Sequence, residues 1–187
     1  MNKTIKILQE ICFLLSLNNG RMNLIKLIKE LYLADRLSIE EREFSISGDI
    51  FYSMKNGPIL SNALDLLTND LPDFIEYIHS EVAQDPEERY YPDIVLVKTP
   101  GQDRLSKNDK KYLQQVSEEF KNKKAFYLVD LTHKLPEWQE VLSGRKKIHF
   151  SDILRALGKN DKEILEIKAS NDTMKRFNMA LSGVFRE

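Results

Sequence analysis

The sequence predicts a mainly α-helical protein with a small antiparallel β element, an α+β fold in a single compact helical domain. Three observations predict it. Apolar residues recur at spacings of three and four through most of the chain. Gly and Pro are few, seven and six in 187 residues, and fall at spaced points where turns belong. Only two stretches, near Phe51–Met54 and Ile94–Val97, have the aromatic and β-branched character of strands. A composition of 42% hydrophobic and 30% charged residues is that of a folded chain, long enough to bury a core without disulfides or metal.

Residues 3–17 are predicted as a helix with Ile5, Leu8, Cys12 and Leu15 on one face. Cys12 lies in an apolar run and is expected to be a buried structural thiol. With no second Cys there is no intrachain disulfide, which fits a reducing cytoplasm. Lys3 and Lys6 precede apolar residues, but Gln9 and Glu10 interrupt them, so no signal peptide is expected. No run approaches the ~20 apolar residues of a membrane span. Asn18-Asn19-Gly20 stops the helix. A second helix follows from about residue 22 to 43, making an αα-hairpin with the first. Leu24, Leu27, Ile28, Leu31 and Ala34 form its buried stripe, and Lys26, Lys29, Glu30 and Arg36 are placed on the opposite, solvated side. Asp35 sits one residue beyond the stripe. It is either a surface charge or a carboxylate aimed at backbone amides, because burial without partners is costly.

Ser45-Ile46-Ser47-Gly48-Asp49 breaks the second helix, and residues 49–54 read as a strand. Asn56-Gly57-Pro58 is predicted as a structural turn, with Pro58 in the first turn of a helix over 58–68. An anion site at that helix start is the alternative, but no glycine-rich loop accompanies it. Phe74, Tyr77 and Ile78 suggest a short helix after Pro72, and residues 85–88 a solvated loop. Residues 89–98 form the second strand, expected to pair with 49–55, with room for one more short strand. Ser106 and Asp109 are a capping pair for a helix whose core face is Leu113, Val116 and Phe120, with Tyr112 alongside. Lys121 to Lys124 close that helix. A short helix carries Ala125, Leu128, Val129 and Leu131 into Thr132-His133, and Trp138 and Val141 turn inward after Pro136. Ser151 is the predicted cap of a helix through Leu157. Asn160 or Asp161 caps the last, with Ile164, Leu165, Ile167 and Ala180 apolar.

Net charge is −1, unevenly spread. Residues 1–100 hold 10 basic and 16 acidic residues, a balance of −6, and residues 101–187 hold 18 and 13, a balance of +5. The contrast is either two oppositely charged faces or a basic face for an acidic partner or nucleic acid, with Gly144-Arg145-Lys146-Lys147 its best local support. His79, His133 and His149 lie in no metal-ligand spacing, and no P-loop, dinucleotide fingerprint or nucleophile elbow appears. No metal, cofactor or catalytic residue is therefore assigned. His133 beside Trp138 is either an acid/base or contact residue, or a helix-terminal ring that donates to a carbonyl and packs on the indole.

Several spaced motifs, in order, carry a resemblance. Leu31-Tyr32-Leu33-Ala34-Asp35-Arg36, Ile46-Ser47-Gly48-Asp49, and Tyr52-Ser53-Met54-Lys55-Asn56-Gly57-Pro58 with Ser61 are the first three. Leu105-Ser106, Leu128 to His133, Pro136-Glu137-Trp138 and Ile148 to Leu154 follow. Together they resemble the Panacea domain, the SocA-like antitoxin domain, over roughly residues 20–155. Ser53 and Ile59 depart from the family's usual alanine and valine. The resemblance implies a helical fold with a small β element. It also implies the protein antitoxin of a bacterial or phage toxin–antitoxin pair, non-enzymatic, without cofactor, neutralising a cognate toxin by direct contact. A protease adaptor or a DNA-binding autoregulator acting on operator DNA is the alternative. Residues 1–187 are read as one domain with an N-terminal helix and a C-terminal helical extension. Gly48, Gly57, Pro58 and Trp138 are assigned to structure. Tyr32, Asp35, Asp49, Lys55 and His133 are the candidate partner-contact or pocket residues.

Overall fold

The structure is a computed structural model and describes residues 2–69 and 74–184. Among them are seven α-helices: α1 (Asn2–Leu17), α2 (Leu24–Arg42), α3 (Ser61–Thr68), α4 (Lys107–Phe120), α5 (Ala125–Thr132), α6 (Phe150–Ala156) and α7 (Asp161–Val184). Six short strands join them: β1 (Arg21–Asn23), β2 (Phe51–Met54), β3 (Gly57–Leu60), β4 (Ile78–Glu81), β5 (Asp93–Leu96) and β6 (Lys146–Ile148). The fold is mainly helical, as predicted. No described helix is long and apolar enough to cross a membrane.

α2 is the axle. It packs against α1, α3, α4, α5 and α6 and against β1 and β3. Leu24, Leu27, Ile28, Leu31 and Ala34 are buried as predicted, and so are Lys29 and Glu30, both 0% exposed. The placement of those two charges on a solvated side is corrected: elements cover α2 on more than one side, so its polar flanks are interior. The buried face of α1 is likewise broader than the predicted stripe. It includes Ile7, Ile11 and Leu14 with Leu8, Cys12 and Leu15, while Ile5 is only half-buried. Contacts with both α3 and α4 account for the extra width.

The β structure is two three-stranded antiparallel sheets, ordered β1-β5-β4 and β3-β2-β6. The expected pairing of 49–55 with 89–98 is not made. β2 pairs with β3 across the two-residue loop Lys55-Asn56, in the register Met54↔Gly57 to Phe51↔Leu60. So short a loop closes at little entropic cost. β5 takes Arg21–Asn23 on one side and Ile78–Glu81 on the other. Pro58 therefore lies in a strand and not in a helix. Its missing N–H is tolerated because β3 is an edge strand. The helix begins three residues later, at Ser61. Ile78 opens β4, after a single turn in which the Tyr77 and Ile78 amides donate to Phe74. Pro72 lies outside the described residues.

The ends of the later helices follow local chemistry. Ser106 and Asp109 form a full reciprocal cap on α4, and Tyr112, Leu113, Val116 and Phe120 are buried. His149, not Ser151, caps α6, its amide donating to Asp152 at 2.8 Å. Asn160 and Glu163 cap α7 reciprocally. Ile164 and Ile167 anchor α7 in the core, but Leu165 is 69% exposed, contrary to expectation. Turned about 100° from Ile164 on the helix, it faces away from the body. The side chain of Ala180 lies outside the described ones.

Candidate functional site

Asp35 holds the loop between α2 and β2. It is 1% exposed. Its Oδ1 accepts from the amide of Ser47 at 3.1 Å, from the hydroxyl of Ser45 at 3.0 Å and from the amide of Ile46. Its Oδ2 accepts from the Ser47 hydroxyl. Burial raises the carboxyl above its usual range, and these donors offset only part of that rise. Of the two sequence readings, the structure shows the carboxylate aimed at amides. Fourteen residues on, Asp49 does the same for α3. It accepts from the amides of Asn62 at 3.1 Å and Ala63 at 3.0 Å, completing the helix N-terminus. Gly48, between the two, has a φ of 60°, and its carbonyl accepts from Lys3 Nζ at 2.9 Å.

The β2–β3 hairpin meets α2 and α5 at Gly57. A Cβ there would stand 2.7 Å from both Lys29 Nζ and Thr132 Oγ1, and 3.3 Å from the His133 ring. Lys29 donates to the Pro58 carbonyl at 2.7 Å, and burial lowers its ammonium pKa to about 7. His133 closes α5, hydrogen-bonds the Lys55 backbone, and stacks on Trp138 with centroids 4.1 Å apart and planes at 16°. Burial, then repulsion from Lys29, hold the imidazole below its ordinary pKa. The Trp138 indole donates to the Met54 carbonyl at 3.2 Å. The helix-terminal reading of His133 thus matches its surroundings. A second link lies beside it: Glu137 Oε1 accepts from Tyr32 Oη at 3.0 Å and Arg36 Nε at 2.7 Å.

Two more carboxyls are interior. Neither oxygen of Glu30 has a hydrogen-bond partner, and burial raises its pKa to about 8. Burial, then the Asp35 charge, raise Glu10 well above its ordinary range. Neutral Glu30 suits the fold, so its contribution to stability is whole below about pH 4.5 and is lost as pH rises to about 8. Glu30→Gln is expected to flatten that part of the stability-versus-pH curve. Urea titrations of both proteins across this range check it, and parallel curves would contradict it.

The nine sequence-predicted residues therefore sort by exposure. Tyr32, Asp35, Asp49, Gly57 and Pro58 are buried, Trp138 and His133 are half-buried, and Gly48 and the Lys55 side chain are exposed. Gly57, Pro58, His133 and Trp138 meet in one junction with the Lys55 backbone. Gly48 and Asp49 instead line a cleft of about 380 Å³, inside the ~300–1,000 Å³ span of ligand clefts. Its far walls come from β6, the start of α6 and the middle of α7. Sequence reasoning missed Lys147, Phe150, Lys168 and Asn171 there. The basic run at 145–147 and the basic balance of residues 101–187, which include α7, were partial signals. Among the described residues no three His, Cys, Asp or Glu side chains gather as a metal site.

No curated protein and no solved structure matches the chain. The family model described as "Antitoxin SocA-like, Panacea domain" matches residues 27–139, from the core of α2 to the turn that carries Trp138. All of the Asp35 and Asp49 contacts and the Gly57 junction lie inside that span. The chain belongs to the SocA-like antitoxin, Panacea domain family.

Proposed function

We propose that this protein is the antitoxin of a bacterial or phage toxin–antitoxin pair, and that it neutralises its cognate toxin by direct contact. It acts in the cytoplasm as a binding protein and not as an enzyme, with residues 1–187 working as one unit. Family membership over residues 27–139 carries this reading. The interior fate of the family motifs supports it. Tyr32, Asp35, Asp49 and Gly57 hold α2, the loop after it and the hairpin in place, which leaves exposed surface to choose a partner.

Expressing the toxin encoded beside this gene is expected to arrest growth. Adding this protein should restore growth and yield a complex that copurifies. A neighbour that is harmless by itself overturns the antitoxin reading. Rescue that disappears in protease-deficient cells, with no stable complex, assigns the adaptor role instead.

A further inference from the structure

The two ring nitrogens of His133 have opposite surroundings. Nε2 is enclosed by protein and has no hydrogen-bond partner. The bond to the Lys55 backbone therefore belongs to Nδ1. That bond favours the protonated ring, so Nδ1–H donates to the Lys55 carbonyl. With the hydrogen on Nδ1, the neutral ring presents only a lone pair at Nε2. One face of the ring lies on Trp138. Its Cδ2 edge, next to Nε2, stands 3.3 Å from the point where a Cβ would sit on Gly57, and Lys29 Nζ stands 2.7 Å from the same point. Ring and ammonium thus lie within roughly 6 Å, a range at which like charges disfavour one another. Asp130 on α5 and Glu140 beyond Trp138 act in the other direction but count for less than burial and Lys29. Glu137, on the same turn, bonds Tyr32 and Arg36 through Oε1. Its Oε2 does not reach Nε2, since both atoms are without partners. A proton arriving at Nε2 in the closed junction therefore finds no acceptor and puts a second positive charge beside Lys29, which is itself charged below about pH 7.

We infer that His133 is a proton-operated latch on the β2–β3 hairpin. The neutral ring holds the Lys55 carbonyl and covers Trp138; the protonated ring leaves that place and frees the hairpin tip, Met54 to Gly57. The direction follows from the site. Burial and Lys29 hold the enclosed ring below its ordinary pKa of 6.5, so the opened junction binds the proton more tightly. The latch is fully closed above pH 6.5, and its hold is lost as pH falls through the lower pKa of the enclosed ring. One proton is taken up per opening, so the open fraction rises about tenfold per pH unit within that window. This inference stands on the junction alone and is independent of the antitoxin reading.

Amide hydrogen exchange on the full chain, corrected for the intrinsic effect of pH and read beside an NMR titration of the His133 ring, tests it. Protection at Met54 and Gly57, the closing pair of the hairpin, should fall about tenfold per pH unit as the solution is acidified below 6.5. Protection at Ile94, in the other sheet, should stay level. A ring that titrates at or above 6.5, or tip protection that does not follow the ring, overturns the inference. His133→Asn keeps a donor for the Lys55 carbonyl and cannot take up the proton. Its tip should show no such pH dependence, and an equal fall in that variant overturns the latch. Should Asn leave the tip open at every pH, Lys29→Gln is read in its place. That variant keeps a donor for the Pro58 carbonyl without the charge. The ring should then titrate closer to 6.5, and the total fall in protection should shrink. An unmoved ring with an undiminished fall overturns the latch as well.

Discussion

Gly57→Val is expected to lower the melting temperature by about 10 °C, following a loss of about 4 kcal/mol of stability. Two costs combine. The residue has a φ of 95°, a conformation that side chains other than glycine resist and β-branched ones most of all. The new atoms would also meet Lys29 Nζ and Thr132 Oγ1 at 2.7 Å. Neither can yield freely, because Lys29 is fully buried and bonded to Pro58, and the Thr132 hydroxyl is bonded to the Leu128 carbonyl. Gly144→Val is the control. Its φ of 75° carries the same backbone cost, but a Cβ there would meet nothing within 4 Å. Thermal denaturation of the pair separates strain from collision. Equal losses would show that the crowding at Gly57 does not matter, and an unchanged melting temperature for Gly57→Val would contradict the junction altogether.

Asp35→Ala is expected to cost about 3 kcal/mol in urea denaturation, since the buried amides of Ile46 and Ser47 lose their acceptor. The loss is local in origin. Hydrogen exchange should accelerate first at residues 46–49, before α4 or α5 loosens. Full protection of those amides in the variant would show that the loop is held by something else.

The helices were legible because their instructions are local. The caps at Ser106 and Asn160, the stop at Asn19-Gly20, and the apolar spacing in α4 all lie within a few residues of what they control. Lys29 and Glu30 were not legible. A charged residue beside an apolar stripe looks the same in sequence whether the next layer is water or another element. Only the crowding around α2 decides it. Pro58 was misplaced for a different reason. Met54-Lys55-Asn56-Gly57 has the spacing of a two-residue hairpin, but Gly-Pro ahead of an apolar helical pattern is the louder signal. The strand pairings depend on β1 and β6, three residues each, too short to show any period. Of the candidate site, the Asp35 alternative was visible as a question, and the cleft was half visible through Gly48 and Asp49. Its other half comes from α7, brought there by contacts such as Asn171 to Glu43 that span more than a hundred residues.

The stacking of Trp138 on His133 gives the molecule its own optical reporter. Trp138 is the single tryptophan in the chain, so intrinsic fluorescence arises from one known place. That place is where the turn after α5 touches the β2–β3 hairpin, with the indole bonded to Met54 and its face covered by an imidazole. Protonating the ring changes the quenching of the indole it covers, and opening the hairpin exposes the indole to water. The emission therefore records the state of the central junction in the unlabelled protein, including while a partner binds.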